Sequence, residues 1–279
     1  MINGYQKYTK EPNTICNGSL VLTKTFHFET KNDFKERLVR VYLPSTYDFS
    51  NPSKRFKTIY MLDGKNLFDD YTSFVGEWGI DESIEKMIQE GKSEGYIVIG
   101  IDAPNENIAR SQEMSPDGMK RYKKYEMPGS GYASILGNFI FNIVKKDIDE
   151  TFFTKPEKEF TGVGGSSMGG IMAFYLGMEY PNQIGYCLNF SPAFFLFDWD
   201  EFKNYLVKKV NHSVPKQFFY VGGKGFEKQF VEATFRTYNY FMSCEFSHDD
   251  VKLIYDSENE HNEQAWGYYF PIALTSIDK

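Results

Sequence analysis

The chain has 279 residues, of which 41% are hydrophobic and 25% charged, and its net charge is −7. That balance predicts an ordinary soluble globule with a sizeable core, and the acidic surplus disfavours nucleic acid and anionic membrane as partners, because no basic excess is present to neutralise phosphates. No apolar run approaches membrane-spanning length, Met1 to Lys7 lack the apolar stretch of a secretory signal, and Cys16, Cys187 and Cys244 lie far apart with no metal-type spacing, so a reducing, cytoplasmic setting is expected.

In chain order, the alternating runs Leu20–Phe28 and Leu38–Leu43 predict antiparallel strands. Pro44 ends the second, and a polar loop follows over 51–55. Apolar runs and helical periodicities then take turns. Thr58–Leu62 reads as a buried strand closed by a turn at Asp63-Gly64. Ile80, Ile84, Met87 and Ile88 share one helical face, and Gly91 stops it. Tyr96–Ile101 is the next buried strand. Residues 103–130 carry Pro104, Pro116 and Pro128 without clear periodicity, and a loop of that length is expected to be functional or mobile. Ile135, Phe139, Ile140 and Ile143 mark a long helix. Phe160–Val163 is strand-like and Ile171–Tyr180 helix-permissive. Strands follow at Ile184–Phe190, Phe218–Val221 and Val251–Tyr255, with a helix through Val231 and Phe235 and another starting near Asn262. The alternation predicts one α/β domain over residues 1–279: a mostly parallel sheet with antiparallel N-terminal strands and helices on both faces.

Between the strand at Phe160–Val163 and the helix after it lies Gly165-Ser166-Ser167-Met168-Gly169. A serine on so sharp a strand-to-helix turn is held in a strained backbone conformation with its hydroxyl pushed out at the end of the sheet. The residues two before and two after it must be tiny. Gly165 and Gly169 satisfy that for Ser167, whereas Ser166 has Met168 in its downstream position. Ser167 is therefore the candidate nucleophile.

A serine hydroxyl needs a base, usually a histidine oriented by a carboxylate, and in such folds the chain order is Ser, acid, His. Of the four histidines, His27 precedes the turn, and His212 and His248 sit in polar stretches and read as solvated surface residues. His261 follows the last predicted strand, at the carboxyl edge of the sheet where Ser167 should stand. The acid should follow the strand ending at Val221. Glu227 is the nearest carboxylate there, and Asp256 is its rival. An oxyanion would need two backbone N–H groups. They are expected from Met168 and from Lys65 after the Asp63-Gly64 turn, with Asn66 as the alternative to Lys65. Phe68, and Phe194 with Phe195 and the 103–130 segment, are expected to border the substrate.

Several segments carry a resemblance. Tyr60-Met61-Leu62-Asp63-Gly64-Lys65-Asn66-Leu67-Phe68, Glu77-Trp78-Gly79-Ile80-Asp81, Val98 to Asp102, Arg110 with Glu113, Gly165 to Gly170, and His261-Asn262-Glu263-Gln264-Ala265-Trp266 together resemble the putative esterase family of the α/β-hydrolases. Its members include enterochelin esterase, feruloyl esterases, S-formylglutathione hydrolase and mycolyltransferase antigens. The similarity spans roughly residues 35 to 275. It implies an α/β-hydrolase fold and serine esterase activity on a small, siderophore or feruloyl ester, with no metal or organic cofactor. Acyl transfer to an alcohol by the same Ser-His machinery and a non-catalytic binding module are the competing readings. The implied partner is a small-molecule ester, and self-association is left open. One departure stands out: relatives often place the acid at the fourth position of the Gly222-Gly223-Lys224-Gly225 loop, where this chain has Gly225. The resemblance thus carries over Ser167 and His261 and leaves open whether Glu227, Asp256 or no residue is the acid.

Overall fold

The computed structural model describes residues 2–16, 18–29, 34–211 and 213–277. The expectation for His212 lies outside them. The described strands are β1 (Gln6–Lys7), β2 (Leu20–Glu29), β3 (Phe34–Leu43), β4 (Lys57–Leu62), β5 (Tyr96–Ile101), β6 (Thr161–Ser166), β7 (Tyr186–Phe190), β8 (Lys216–Gly222) and β9 (Val251–Asp256). They form one sheet in the order β1-β2-β3-β5-β4-β6-β7-β8-β9. β1, β2, β3 and β5 pair antiparallel, and every pairing from β5 through β9 is parallel. The chain moves from β4 outward to β5 and then crosses back to β6 on the other side of β4. That reversal opens a crevice at the carboxyl ends of β4 and β6, the place where open α/β sheets put their ligands.

The helices are α1 (Ile80–Gln89), α2 (Asn107–Glu113), α3 (Ala133–Phe139), α4 (Lys145–Thr151), α5 (Met168–Glu179), α6 (Trp199–Lys209), α7 (Lys228–Ser243) and α8 (Glu263–Ile277). Successive strand residues point to opposite faces, so the unbroken apolar runs of β4 and β5 are covered on both. Tyr60, Leu62 and Ile99 join a core with Leu136, Phe174, Phe202 and Phe241 from α3, α5, α6 and α7. Ile59, Met61 and Val98 join another with Ile80 and Ile84 of α1 and Phe270 and Leu274 of α8. α5 is buried from Met168 through Met178, which explains its lack of a polar face.

Three details differ from the sequence expectation. Residues 103–130 are not loop throughout, because α2 lies within them. α6 went unforeseen. Its core-facing side is only Phe202 and Leu206, but its start is written locally, since the Asp198 carboxylate accepts from the N–H groups of Asp200 and Glu201 at 3.1 and 3.2 Å. Finally, the helix through Ile135 is interrupted by a π-helical turn over Ile140–Val144 between α3 and α4. The wider turn slips the helical register, and Ile143, expected on the buried stripe, is exposed.

Candidate active site

The turn after β6 is as tight as its glycines imply. Ser167 has φ 58° and ψ −117°, a conformation L-residues rarely adopt, and it caps the N-terminus of α5. A Cβ on Gly165 would lie 2.8 Å from the carbonyl carbon of Gly169, and one on Gly169 would lie 3.1 Å from Leu62 and from the Asp63 carboxylate. Main-chain bonds hold the strained turn: Ser167 N–H donates to Phe190 O at 3.0 Å, and Ser167 O accepts from Ala193 N–H at 3.2 Å. Ser166 is buried in the strand, whereas Ser167 is half-buried.

Two strands away, the loop after β8 turns through Gly225 at φ +59° and brings Glu227 back under the sheet edge. Glu227 is wholly buried. One carboxylate oxygen bonds His261 Nδ1, and the other accepts from the Ser191 hydroxyl and from Gly222 N–H at 2.9 Å. Glu227, two residues beyond Gly225, is thus the carboxylate that the loop brings to His261. Asp256, the rival acid, is engaged elsewhere, accepting from Tyr269 O–H at 2.6 Å and Asn259 Nδ2 at 2.7 Å. The His261 ring stacks on Phe230 at 4.4 Å and meets Trp266 and Phe226 edge-on at 4.9 and 5.4 Å. With Nδ1–H donated to a carboxylate, Nε2 is left as the acceptor. His27 and His248 are exposed, the latter 3.0 Å from the Tyr238 hydroxyl.

The two main-chain N–H groups expected to receive an oxyanion, those of Met168 and Lys65, follow β6 and β4 at the crevice. Met168 opens α5, so its N–H lacks an intrahelical partner. Lys65 lies in a single 3₁₀ turn, Gly64–Asn66, whose first bond runs from Asn66 N–H to Asp63 O. The Lys65 N–H thus precedes the turn's own bonding. Asp63, at φ 57°, shapes this turn, and Arg110 grips its carboxylate through two bonds of 2.6 and 2.7 Å. Arg110 therefore does not pair with Glu113, which instead holds Arg37 through two bonds of 2.8 Å. Asn66, the alternative donor, spends its N–H on Asp63 O at 2.9 Å, and its side chain bonds Glu263 at 3.3 Å and Phe74 N–H at 3.2 Å.

A family model described as putative esterase matches residues 34–218. The chain belongs to the putative esterase family. Among curated proteins, this esterase-family chain is 24% identical over 149 residues to the uncharacterized protein YbbA of Bacillus subtilis (strain 168), covering 53% of this chain and 54% of the relative. The chain thus spans about half the length of the curated relative it matches. Among solved structures, it resembles the BES protein from Bacillus cereus (TM-score 0.68, 18% identity, 98% and 99% of the two chains) and a ferulic acid esterase (TM-score 0.67, 15% identity, 93% and 97%). It also resembles the siderophore hydrolase EstB from Aspergillus nidulans (TM-score 0.64, 18% identity, 94% and 96%). At these identities the likeness is one of fold, the α/β-hydrolase architecture. Among the described residues, no helix is long and apolar enough to cross a membrane.

The expected substrate-bordering residues need correction. Phe68 does not line a binding surface: it is 2% exposed, and its ring stacks on Tyr42 at 5.7 Å. The turn that presents Lys65 points the following side chains into the core. Beside the site, the exposed apolar residues are Phe226, against His261, and Phe74 and Val75, in the loop tied to Asn66. Their signal in sequence was only an aromatic in a polar loop. Phe194 is also 2% exposed and packs on Phe174 and Phe202. Phe195 is the half-buried member of the pair, edge-on to Phe230 at 4.6 Å and to Tyr125 at 5.2 Å. The two segments do share a cavity of about 520 Å³, to which 103–130 gives Tyr122, Lys124 and Tyr125 and the other segment gives Phe194 and Phe195. Phe195, which lines it, meets the edge of Phe230, the ring stacked on the imidazole. Another cavity, about 620 Å³ between α1 and α8, contains none of the site residues.

The Glu77-Trp78-Gly79-Ile80-Asp81 segment supports the site by packing, with Trp78 against Trp266 at 5.6 Å. It also brings carboxylate oxygens of Glu77, Asp81 and Glu82 within 4.8 Å of one another. Burial, and then the charge of Glu82, pushes the Asp81 carboxyl up to about 9, and burial pushes Glu77 up to about 7. An acid raised in this way holds its proton in the native state between about pH 4 and its folded value, while the unfolded chain has released it. Stability from Asp81 is therefore fully present at acid pH and is lost as pH climbs toward 9. Asp81→Asn keeps an acceptor oxygen for Cys16 N–H, 2.8 Å away, and removes the titration. The melting-temperature advantage of the variant is expected to be small near about pH 5 and to grow by several degrees at about pH 8. Equal differences at both pH values would contradict the assignment.

Proposed function

We propose that this chain is a serine carboxylic-ester hydrolase acting through an acyl-enzyme on a small ester of the siderophore or feruloyl kind. The observation that carries the reading is His261 Nδ1 bound to the buried carboxylate of Glu227, at the sheet edge where Ser167 caps α5. Family membership and the names of the structural neighbours, a ferulic acid esterase and a siderophore hydrolase, support the reaction class and the kind of ester.

In this mechanism Ser167 Oγ attacks the ester carbonyl as its proton passes to His261 Nε2, and Glu227 stabilises the imidazolium through Nδ1–H. The N–H groups of Met168 and Lys65 receive the oxyanion. Collapse expels the alcohol, which takes the proton from Nε2. Water then attacks the acyl-serine with His261 again as base, and collapse frees the acid and restores Ser167. The groups of this chain that act are the side chains of Ser167, His261 and Glu227 and the two main-chain N–H groups. The partner implied is a small-molecule ester.

The test combines active-site labelling with the acid's own variant. A fluorophosphonate is expected to label the parent once, at Ser167. Glu227→Gln should slow hydrolysis of an activated aryl ester by up to ~10⁴, because the amide cannot supply the carboxylate's charge and favours the wrong histidine tautomer. Asp256→Asn should stay near parent, since Oδ2 serves Tyr269 and Asn259 and Oδ1 serves Glu258 N–H. An unlabelled, inert parent would remove the reading, and a large loss in Asp256→Asn alone would move the acid.

A further inference from the structure

Ser191 directly follows the last residue of β7. It is completely buried and holds φ 42°, outside the range L-residues prefer. Such strain persists where the surroundings over-determine it. Ser191 N–H donates to Tyr220 O on β8 at 2.7 Å. Its hydroxyl lies between Trp266 Nε1, at 2.9 Å, and Glu227 Oε1. The preceding residue, Phe190, accepts the N–H of Ser167. Ser191 therefore joins the nucleophile's turn to the acid's loop.

The direction of these bonds follows from elementary donor counting. An indole N–H can only donate, so Trp266 occupies a lone pair of the Ser191 oxygen. The hydroxyl has one proton, no water reaches it at zero exposure, and its remaining neighbour is the Glu227 carboxylate. The proton must therefore go to Glu227 Oε1. That oxygen also takes Gly222 N–H, which leaves Oε2 for His261 Nδ1–H. Trp266 closes the circuit, because its ring also stands edge-on to the imidazole. A five-residue step from His261 thus supplies one side chain that contacts the imidazole directly and reaches the carboxylate through Ser191.

We propose that Ser191 and Trp266 are positioning residues for the hydrolysis: Trp266 Nε1–H orients the Ser191 hydroxyl, the hydroxyl fixes Glu227, and Glu227 holds His261 with its proton on Nδ1. This rests on the hydrolase reading of Ser167 and His261. It adds two members that act through Glu227 and His261 rather than on the ester itself.

The experiment compares Ser191→Gly, Trp266→Phe and the double variant in the full chain. Glycine accepts the positive φ, so the hydroxyl is removed without added backbone strain, and phenylalanine keeps an aromatic ring while losing the N–H. With an activated aryl ester, Ser191→Gly should lower kcat about 10- to 100-fold, the size of one hydrogen bond to a charged group expressed in the transition state, with KM within about twofold of parent. The acid limb of kcat/KM should move up by about one pH unit, because a carboxylate with one donor fewer pulls harder on the imidazolium. The downfield proton resonance of His261 Nδ1–H should shift with it. Trp266→Phe should move all three in the same direction by less. The double variant should be no worse than Ser191→Gly alone, since Trp266 acts through Ser191. A folded Ser191→Gly with parent-like pH limb and resonance, or losses that multiply in the double variant, would overturn the proposal. A parent without esterase activity, or undiminished turnover in Ser167→Ala, would instead overturn the hydrolase reading on which it rests.

Discussion

Ser167→Ala is expected to reduce hydrolysis of an activated aryl ester by about 10⁶-fold, the scale seen when a triad serine is removed from a comparable hydrolase, while leaving the fold in place. The structural argument is that alanine changes only the hydroxyl. Both residues carry a Cβ, so the strain of φ 58° is the same, and the clearances at Gly165 and Gly169 are untouched. The main-chain bonds to Phe190 and Ala193 also survive. The melting temperature should therefore match the parent or exceed it slightly, since reactive sites commonly sacrifice some stability. Residual catalysis from the N–H groups of Met168 and Lys65 should keep the variant above the uncatalysed rate. Turnover within tenfold of parent in a folded Ser167→Ala would mean that another residue is the nucleophile.

The features legible in sequence are those fixed by local sterics or by unambiguous periodicity. Residues Gly165 and Gly169 announce Ser167 because the constraint acts within five residues, and the built-Cβ distances show the same crowding. β4 and β5 were legible because strands covered on both faces are apolar throughout. His261 was placed by topology: it follows the last strand, and the carboxyl edge of a parallel sheet is where such side chains collect. Glu227 could be nominated but not chosen over Asp256, because the choice turns on how a loop containing Gly225 folds back.

What the sequence concealed depends on direction or on distant segments meeting. Phe68 and Phe226 are both aromatics just after turns at strand ends, yet one is in the core and the other beside His261. The orientation of the preceding turn decides this, and hydropathy does not encode it. Phe194 and Phe195 are adjacent, and their opposite environments follow from a short 3₁₀ turn, Phe194–Leu196. Ser191 is the plainest case. Its role requires residues 191, 227 and 266 to converge, and nothing in the Ser191-Pro192 pair identifies it as more than a strand stop.

His261→Ala is expected to be nearly as damaging as Ser167→Ala, and for a reason the geometry makes specific. Without Nε2 no base stands ready for the Ser167 proton, so turnover should fall by about 10⁵- to 10⁶-fold. Unlike Ser167→Ala, this variant should also lose stability. The imidazole fills the space between Phe230, Phe226 and Trp266, and its removal takes a donor from the fully buried Glu227. An orphaned buried acceptor costs about 1–3 kcal/mol, which should appear as a melting-temperature drop of several degrees. His261→Asn separates the two effects, since its amide N–H can still serve Glu227 while no base remains: stability should recover and activity should not. His248→Ala should leave both near parent, because that ring is exposed and contacts the Tyr238 hydroxyl, and His212→Ala is expected from its polar sequence context to do the same. If His248→Ala or His212→Ala were the inactivating change, or if His261→Asn restored turnover with stability, His261 would not be the base.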